Sequence, residues 1–333
     1  MKRKRVLLWL GASLLAVVVV SLLVLNALLQ PMKREASEHL IRIEDGDTLA
    51  KVADRLESEG VLRSASAALF VLKIRRQPMD VRSGTFAVDA SLRGDEILRR
   101  LTQAQPIRQM VLIREGLWAE EIARLLEEKR VCSAEEFLRL VGEPSRFEGD
   151  VEFPLPEDSL EGYLFPDTYD LPPLLGAERS IRRMLKAFEA KVYKPLGRPK
   201  ESELRRWVII GSLIELEAMH DVERRKISGV IANRLAKGMP LQIDATVLYA
   251  LKEKRRLKNS DYRVESEYNT YQILGLPPGP ICSPGVASIR AAANPERHDY
   301  LYYVARPDGY HAFATTYAEH LRNVRMRNAG TLK

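Results

Sequence analysis

Between Arg5 and Lys33 the chain reads VLLWLGASLLAVVVVSLLVLNALLQPM, without one charged side chain. No other feature limits the possible structures so strongly. About 20 apolar residues in a helix cross the hydrocarbon of a bilayer, and a lone segment there must be helical because each backbone amide has to find its partner within the segment. A cleaved signal peptide carries only about 7–15 apolar residues before a small-residue cleavage pattern. This run is longer, and the sequence around Asn26 offers no A-x-A. Residues 6–29 are therefore read as an uncleaved signal anchor, a removed signal peptide being the alternative. Lys2, Arg3, Lys4 and Arg5 form a basic tail, 1–5, that stays in the cytoplasm and leaves the remainder outside.

The same tail explains the charge. Four of the seven net positive charges lie in it, leaving three over the rest of the 333 residues. That is an ordinary surface, so a nucleic-acid partner is not indicated. Cys132 and Cys282 are the two cysteines. So few in an exported chain of this length make no disulfide scaffold, and Cys282, in a loop rich in Gly and Pro, reads as a small filler.

After a linker at 30–38 comes HLIRIEDGDTLAKVADRLESEG: a short strand, a turn at Asp45-Gly46-Asp47, then a helix with Leu49, Val52, Ala53 and Leu56 at helical spacing. Asp47 or Thr48 can cap it and Gly60 can end it. A second helix, Ala65 to Ile74, and a further strand, turn and helix follow. IREGLWAEEIARLLEEKRV matches this segment at a constant offset, Gly46 with Gly116 and Leu56 with Leu126. It reads either as an internal repeat or as a second ordinary strand–turn–helix unit. From about 151 the chain is rich in Pro and aromatics. It then turns helical over about 180–193, 201–219 and 222–238, with a further helix after Asp244 and a strand in YLYYVAR. This order is an α+β pattern.

The helix GSLIELEAMHDVERRK carries Glu215 and Glu217, separated by Leu216 after an apolar run. Two residues apart on a helix means about 200°, so the two carboxylates face nearly opposite ways and only one can enter a given pocket. A carboxyl among apolar neighbours gains pKa and becomes an acid available near neutral pH, as glycoside cleavage requires. Periodicity does not choose between them. No H-E-x-x-H and no G-x-S-x-G is present, which argues against a zinc peptidase and a serine hydrolase.

The segments EGYLFPDTY, GSLIELEA, VERRKISGVIANRL, MPLQIDATVLYAL, YNTYQILGLPPGPICSPGVASIRAAANP, YLYYVA and HAFATTYAEH occur in this order. Together they resemble the YceG-like family of endolytic murein transglycosylases. GDTLAKVADRL resembles a LysM-type module, a small βααβ fold that binds N-acetylglucosamine polymers. The resemblance implies an α+β chain: a transmembrane helix, a LysM-like subdomain at 39–105, a connecting strand–helix subdomain at 106–150 and a helix-rich catalytic domain at 151–333. It implies cleavage of MurNAc–GlcNAc bonds within peptidoglycan strands at the bacterial inner membrane, no metal or organic cofactor, and penicillin-binding proteins as neighbours. It also places the catalytic acid on the second glutamate, Glu217, with Glu215, Glu223 and Arg234 in support, the last two suited to an ion pair beside the site. Tyr163, Asp167, Gln242, Asp244, Tyr268, Asn269 and Thr270 lie in the matching motifs and have the planar, amide or hydroxyl character that sugars require. Asp244 would equally suit a helix cap, and Tyr268 a core. A chain of another class, a membrane-tethered glycan-binding scaffold, would share the module and the anchor without cutting.

Overall fold

The apolar run forms one continuous helix, α1 (Lys2–Leu28), whose Trp9–Leu28 portion is long and apolar enough to cross a membrane. The computed structural model describes residues 2–332, with side chains from Trp9 onward, so the basic tail expected at 1–5 lies outside the described side chains. The fold is helix-rich α+β and divides into two compact units, 1–109 with 171–175, and 110–170 with 176–333. The sequence reading divides the chain instead at 105/106 and 150/151.

In the first unit β1 (Glu38–Ile43) leads into α2 (Leu49–Ser58) and α3 (Ala65–Ile74), then β2 (Gly84–Asp89) and α4 (Gly94–Gln103). β1 and β2 pair antiparallel, from Glu38 with Asp89 to Ile43 with Gly84, which completes a βααβ order. Local chemistry sets each boundary. Thr48 caps α2 by accepting the Lys51 amide at 3.3 Å, whereas Asp47 accepts the Glu44 amide and pairs with Arg55. Gly60 (φ 71°) ends the helix. The predicted apolar positions Leu49, Val52, Ala53 and Leu56 are all buried, with Ile43, Phe86 and Leu98, in one core. Residues 30–38, read as a linker, carry hydrogen bonds: Lys33 N–H donates to the Ala90 carbonyl and Ser37 N–H to Asp89.

The second unit opens with the same order. β3 (Met110–Leu112), α5 (Ala119–Glu128) and α6 (Ala134–Val141) precede β4 (Thr168–Asp170), which pairs antiparallel with β3. Glu127 accepts the first amide of α6, as Glu57 accepts that of α3. The segment between α6 and β4 holds the aromatic, proline-rich stretch. Then come α7 (Ala177–Phe188), continued by a π-turn, α8 (Glu201–Glu217), α9 (Arg224–Ala236) and α10 (Asp244–Leu251). α11 (Val286–Ala293), the hairpin β5 (Tyr302–Ala305) with β6 (His311–Ala314), and α12 (Tyr317–Asn328) complete it. α8 and α11 lie almost backbone to backbone at Gly211, where a Cβ would stand 3.3 Å from the Ile289 backbone. Both cysteines are free, and the buried Cys282 thiol donates to the Ser212 carbonyl.

Candidate active site

α8 ends at Glu217, because Ala218 turns to extended backbone (φ −85°, ψ 117°). The helix therefore stops two residues short of Met219, where the sequence pattern extended it. Glu217 lines a cavity of about 470 Å³ with Val230, Ile231 and Arg234 of α9, Gln242 and Asp244 at the start of α10, Tyr303 of β5, and His320 of α12. Burial pushes its carboxyl up to about 7; the Tyr303 hydroxyl, donating to Oε2 at 3.0 Å, pulls the other way, and the Asp244 charge adds to the rise. The unpaired carbonyls at a helix C-terminus carry partial negative charge, so the position of Glu217 in α8 favours its neutral form as well. An acid half-ionised near neutrality, in contact with a cavity, can both give and take a proton there.

Glu215 occupies a different environment. Its Oε1 accepts from Arg224 at 3.2 Å, and its Oε2 accepts the Gly285 amide at 2.9 Å, the N-cap of α11. Both side chains of the pair are buried. Arg224 also donates to Ser288 of α11 and to Asp221. Glu215 thus ties α8, α9 and α11 together and does not line the cavity.

Among the residues matched to a sugar groove, Gln242 and Asp244 line the cavity. Gln242 sits in the left-handed region (φ 52°), sparsely populated for a side chain of its size, and its backbone N–H donates to the Thr270 carbonyl at 3.0 Å. Asp244 begins α10 but makes no side-chain cap; it accepts the Tyr271 hydroxyl at 2.7 Å. Asn269 and Thr270 are fully buried and hold the wall from behind. Asn269 donates to the Tyr262 and Val264 carbonyls and accepts the Tyr271 amide. Thr270 accepts the Ile243 amide and meets Thr246. Tyr163 is in the core between Phe153 and Phe188, Tyr268 packs on Tyr249, and Asp167 pairs with Lys191. None of these three lines the cavity.

Glu223 and Arg234 do not pair with each other. Glu223 accepts both the backbone amide and the Nδ1 of His311, at 3.0 and 2.9 Å. Arg234 donates to the carbonyls of Leu301, Leu241 and Pro240, pinning the strand and the 240–241 turn to α9. Sequence reasoning missed Tyr303, Tyr271 and His311. YLYYVAR signals a strand, and one face of it would carry Tyr303, but nothing local says which surface meets it.

A second carboxyl, Glu161, is buried outside the cavity. Burial pushes it up to about 7; the Ala119 amide donates to Oε2, while Oε1 has no hydrogen-bond partner. Its folded value lies above the unfolded one, so the stability it contributes is complete below about pH 4.5 and is lost as pH rises through 7. The shift corresponds to about 3 kcal/mol. Glu161→Gln should flatten the fall in Tm between pH 5 and pH 8; melting curves that stay parallel to those of the unchanged protein would refute the assignment.

The YceG-like family model matches residues 41–326. The endolytic murein transglycosylase of Bacillus subtilis (strain 168) is 31% identical over 312 residues, covering 89% of this chain and 86% of that protein. The endolytic murein transglycosylase of Streptococcus pneumoniae serotype 2 is 29% identical over 334 residues, covering 90% of this chain but 60% of the longer relative. A YceG-like protein from Listeria monocytogenes, known from a 2.6 Å crystal structure, aligns with a TM-score of 0.56 at 30% identity, over 86% of this chain and 99% of that one.

Proposed function

The chain belongs to the YceG-like family, and from that membership we propose that it is a lytic transglycosylase that cuts peptidoglycan strands internally, with Glu217 as its acid and base. One observation carries the reading: a carboxyl held up to about 7 in a cavity, with a tyrosine hydroxyl fixing its direction. Ordinary glycosidases use two carboxylates. Here one serves twice. Glu217 gives its proton to the oxygen of the MurNAc–GlcNAc β-1,4 bond as the C1–O bond breaks. The C6 hydroxyl of the same MurNAc then closes on C1 and returns its proton to Glu217, leaving a 1,6-anhydro end. The nucleophile is part of the substrate, so no water has to be positioned and the proximity gain is large. Gln242 and Asp244 offer the amide and carboxylate that sugar hydroxyls bond. No step calls for a metal or organic cofactor.

In this reading α1 spans the inner membrane with its N-terminus in the cytoplasm, and the βααβ module is LysM-like and meets glycan strands. Cutting beside the membrane would act on nascent strands and limit their elongation, with penicillin-binding synthases as neighbours.

The decisive experiment incubates the protein with intact peptidoglycan and reads the fragments by mass spectrometry. Anhydro-MurNAc ends support a transglycosylase, and reducing ends would mean a hydrolase. Unchanged strand length would favour the glycan-binding scaffold.

Tyr303→Phe refines the assignment. Its hydroxyl donates to the ionised form and so lowers the Glu217 pKa. Removing it should move the high-pH limb of the rate profile upward and lower the maximal rate by roughly tenfold, the looser acid losing part of the usual acid–base contribution. An unmoved limb would separate Tyr303 from the acid.

A further inference from the structure

The last turns of α1 are part of the βααβ unit. Leu29 is buried in its core and Leu25 packs against it. The Leu29 carbonyl accepts the Gly94 amide at 3.0 Å, and Asn26 accepts from Arg93 at 2.8 Å. These contacts fix the direction of α1 relative to α3. The two helices border a groove of about 640 Å³, lined by Val20, Leu22, Val24, Leu28, Ala67 and Phe70 among others, with no charged side chain.

α3 reads ASAALFVLKI, with one charge in the helix. Its inner face, Ala65, Ala68, Val71 and Leu72, is buried in the core. A helix on the surface of a unit bathed in water shows a polar outer face. Here the outer face carries Phe70, 53% exposed, and Ile74, 64% exposed, and the exposed Met79 follows. Contiguous apolar surface of this kind marks an interaction site.

The geometry of α1 identifies the partner. Trp9–Leu28 is 20 residues, about 30 Å at the helical rise, equal to the hydrocarbon thickness. Val20 lies roughly 12 Å before Leu28 along that axis. A helix that borders α1 from Val20 to Leu28 shares the depth of those residues, which is the acyl region near the C-terminal end of the span. Sliding the span a few residues toward Val6 still leaves α3 at the headgroup boundary, where interfacial helices bury about 5–10 Å. The exposed Lys73 and Arg76 at the end of α3, and Lys33 and Arg34 after α1, suit anionic headgroups at that level.

We propose that the outer face of α3, Phe70 and Ile74 foremost, is seated in the same bilayer that α1 spans, so that the βααβ unit is fixed to the membrane surface and not tethered above it. The proposal rests on α1 being a membrane span. It also accounts for the helix running into the unit with hydrogen bonds across residues 26–33, where a tether would need none.

The full-length chain in phosphatidylcholine–phosphatidylglycerol vesicles tests it. Single cysteines replace Leu15 in the span, Ile74, or the exposed Asp54 of α2, and carry a polarity-sensitive fluorophore. The native thiols compete little: Cys282 is buried, and burial pushes Cys132 up to about 12. The quencher is a nitroxide at a shallow acyl position. Leu15→Cys and Ile74→Cys should both emit blue-shifted and lose fluorescence several-fold to the quencher, with Asp54→Cys unaffected. If Leu15→Cys is quenched while Ile74→Cys behaves like Asp54→Cys, α1 spans but α3 faces water, and the proposal fails. If Ile74→Cys is blue-shifted but unquenched, protein, such as a second copy, covers the face, and the proposal fails again. An unquenched Leu15→Cys removes the span itself.

Discussion

Glu217→Gln is expected to abolish fragment release from peptidoglycan while leaving the fold intact. The amide keeps the shape and still accepts from Tyr303 through its oxygen, but it has no proton to give. General acid–base catalysis is worth roughly 10²–10⁴-fold, and here one group supplies both halves, so release should fall by at least that factor. Burial holds the wild-type carboxyl at about 7. The working form at the first step is protonated, so the wild-type rate should drop about tenfold per unit once pH is well above that value. Rates of fragment release from pH 5 to pH 9, with melting curves as the folding control, check both points. A folded Glu217→Gln protein with half the wild-type rate would remove Glu217 from the chemistry. A flat wild-type profile across pH 7 would remove the pKa argument without touching the residue.

The two glutamates also show what a sequence displays and what it hides. Their opposite facing follows from 200° on a helix, and it holds. Which one enters a cavity does not follow, because the deciding partners, Tyr303, Arg224 and Gly285, are brought in by tertiary packing from up to 86 positions away. The module is different. Its elements were legible down to the bounds of α3, because local chemistry sets them: Ser64 caps it, accepting the Ala67 amide. Tyr163 and Asn269 carried the right chemistry for a sugar, yet they pack inside. A motif marks where residues matter and is silent on whether they face substrate or brace the wall. Arg234 and Glu223 are opposite charges that suit a pair, but backbone carbonyls and His311 reach them first.

Glu215 should answer the same experiment with the opposite phenotype. It is buried against Arg224, and its other oxygen holds the amide at the head of α11. Glu215→Ala leaves a buried guanidinium with the exposed Asp221 as its remaining salt-bridge partner, and removes the carboxylate that accepts the Gly285 amide at the head of α11. Breaking one side of a buried pair costs about 3–5 kcal/mol, or a fall in Tm of roughly 6–20 °C for a unit of this size. Removing both partners, as Glu215→Leu with Arg224→Met, should recover much of that loss, since an apolar pair of similar volume leaves no charge stranded. Calorimetry on Glu215→Leu, Arg224→Met and the double variant gives the coupling directly. The folded fraction of Glu215→Ala should still cut at temperatures well below its melting point, with an unmoved pH limb. If it stays folded and is inactive, the roles of the two glutamates are reversed: the helix face that looks structural carries the chemistry, and the cavity beside Glu217 must be assigned to something other than the scissile bond.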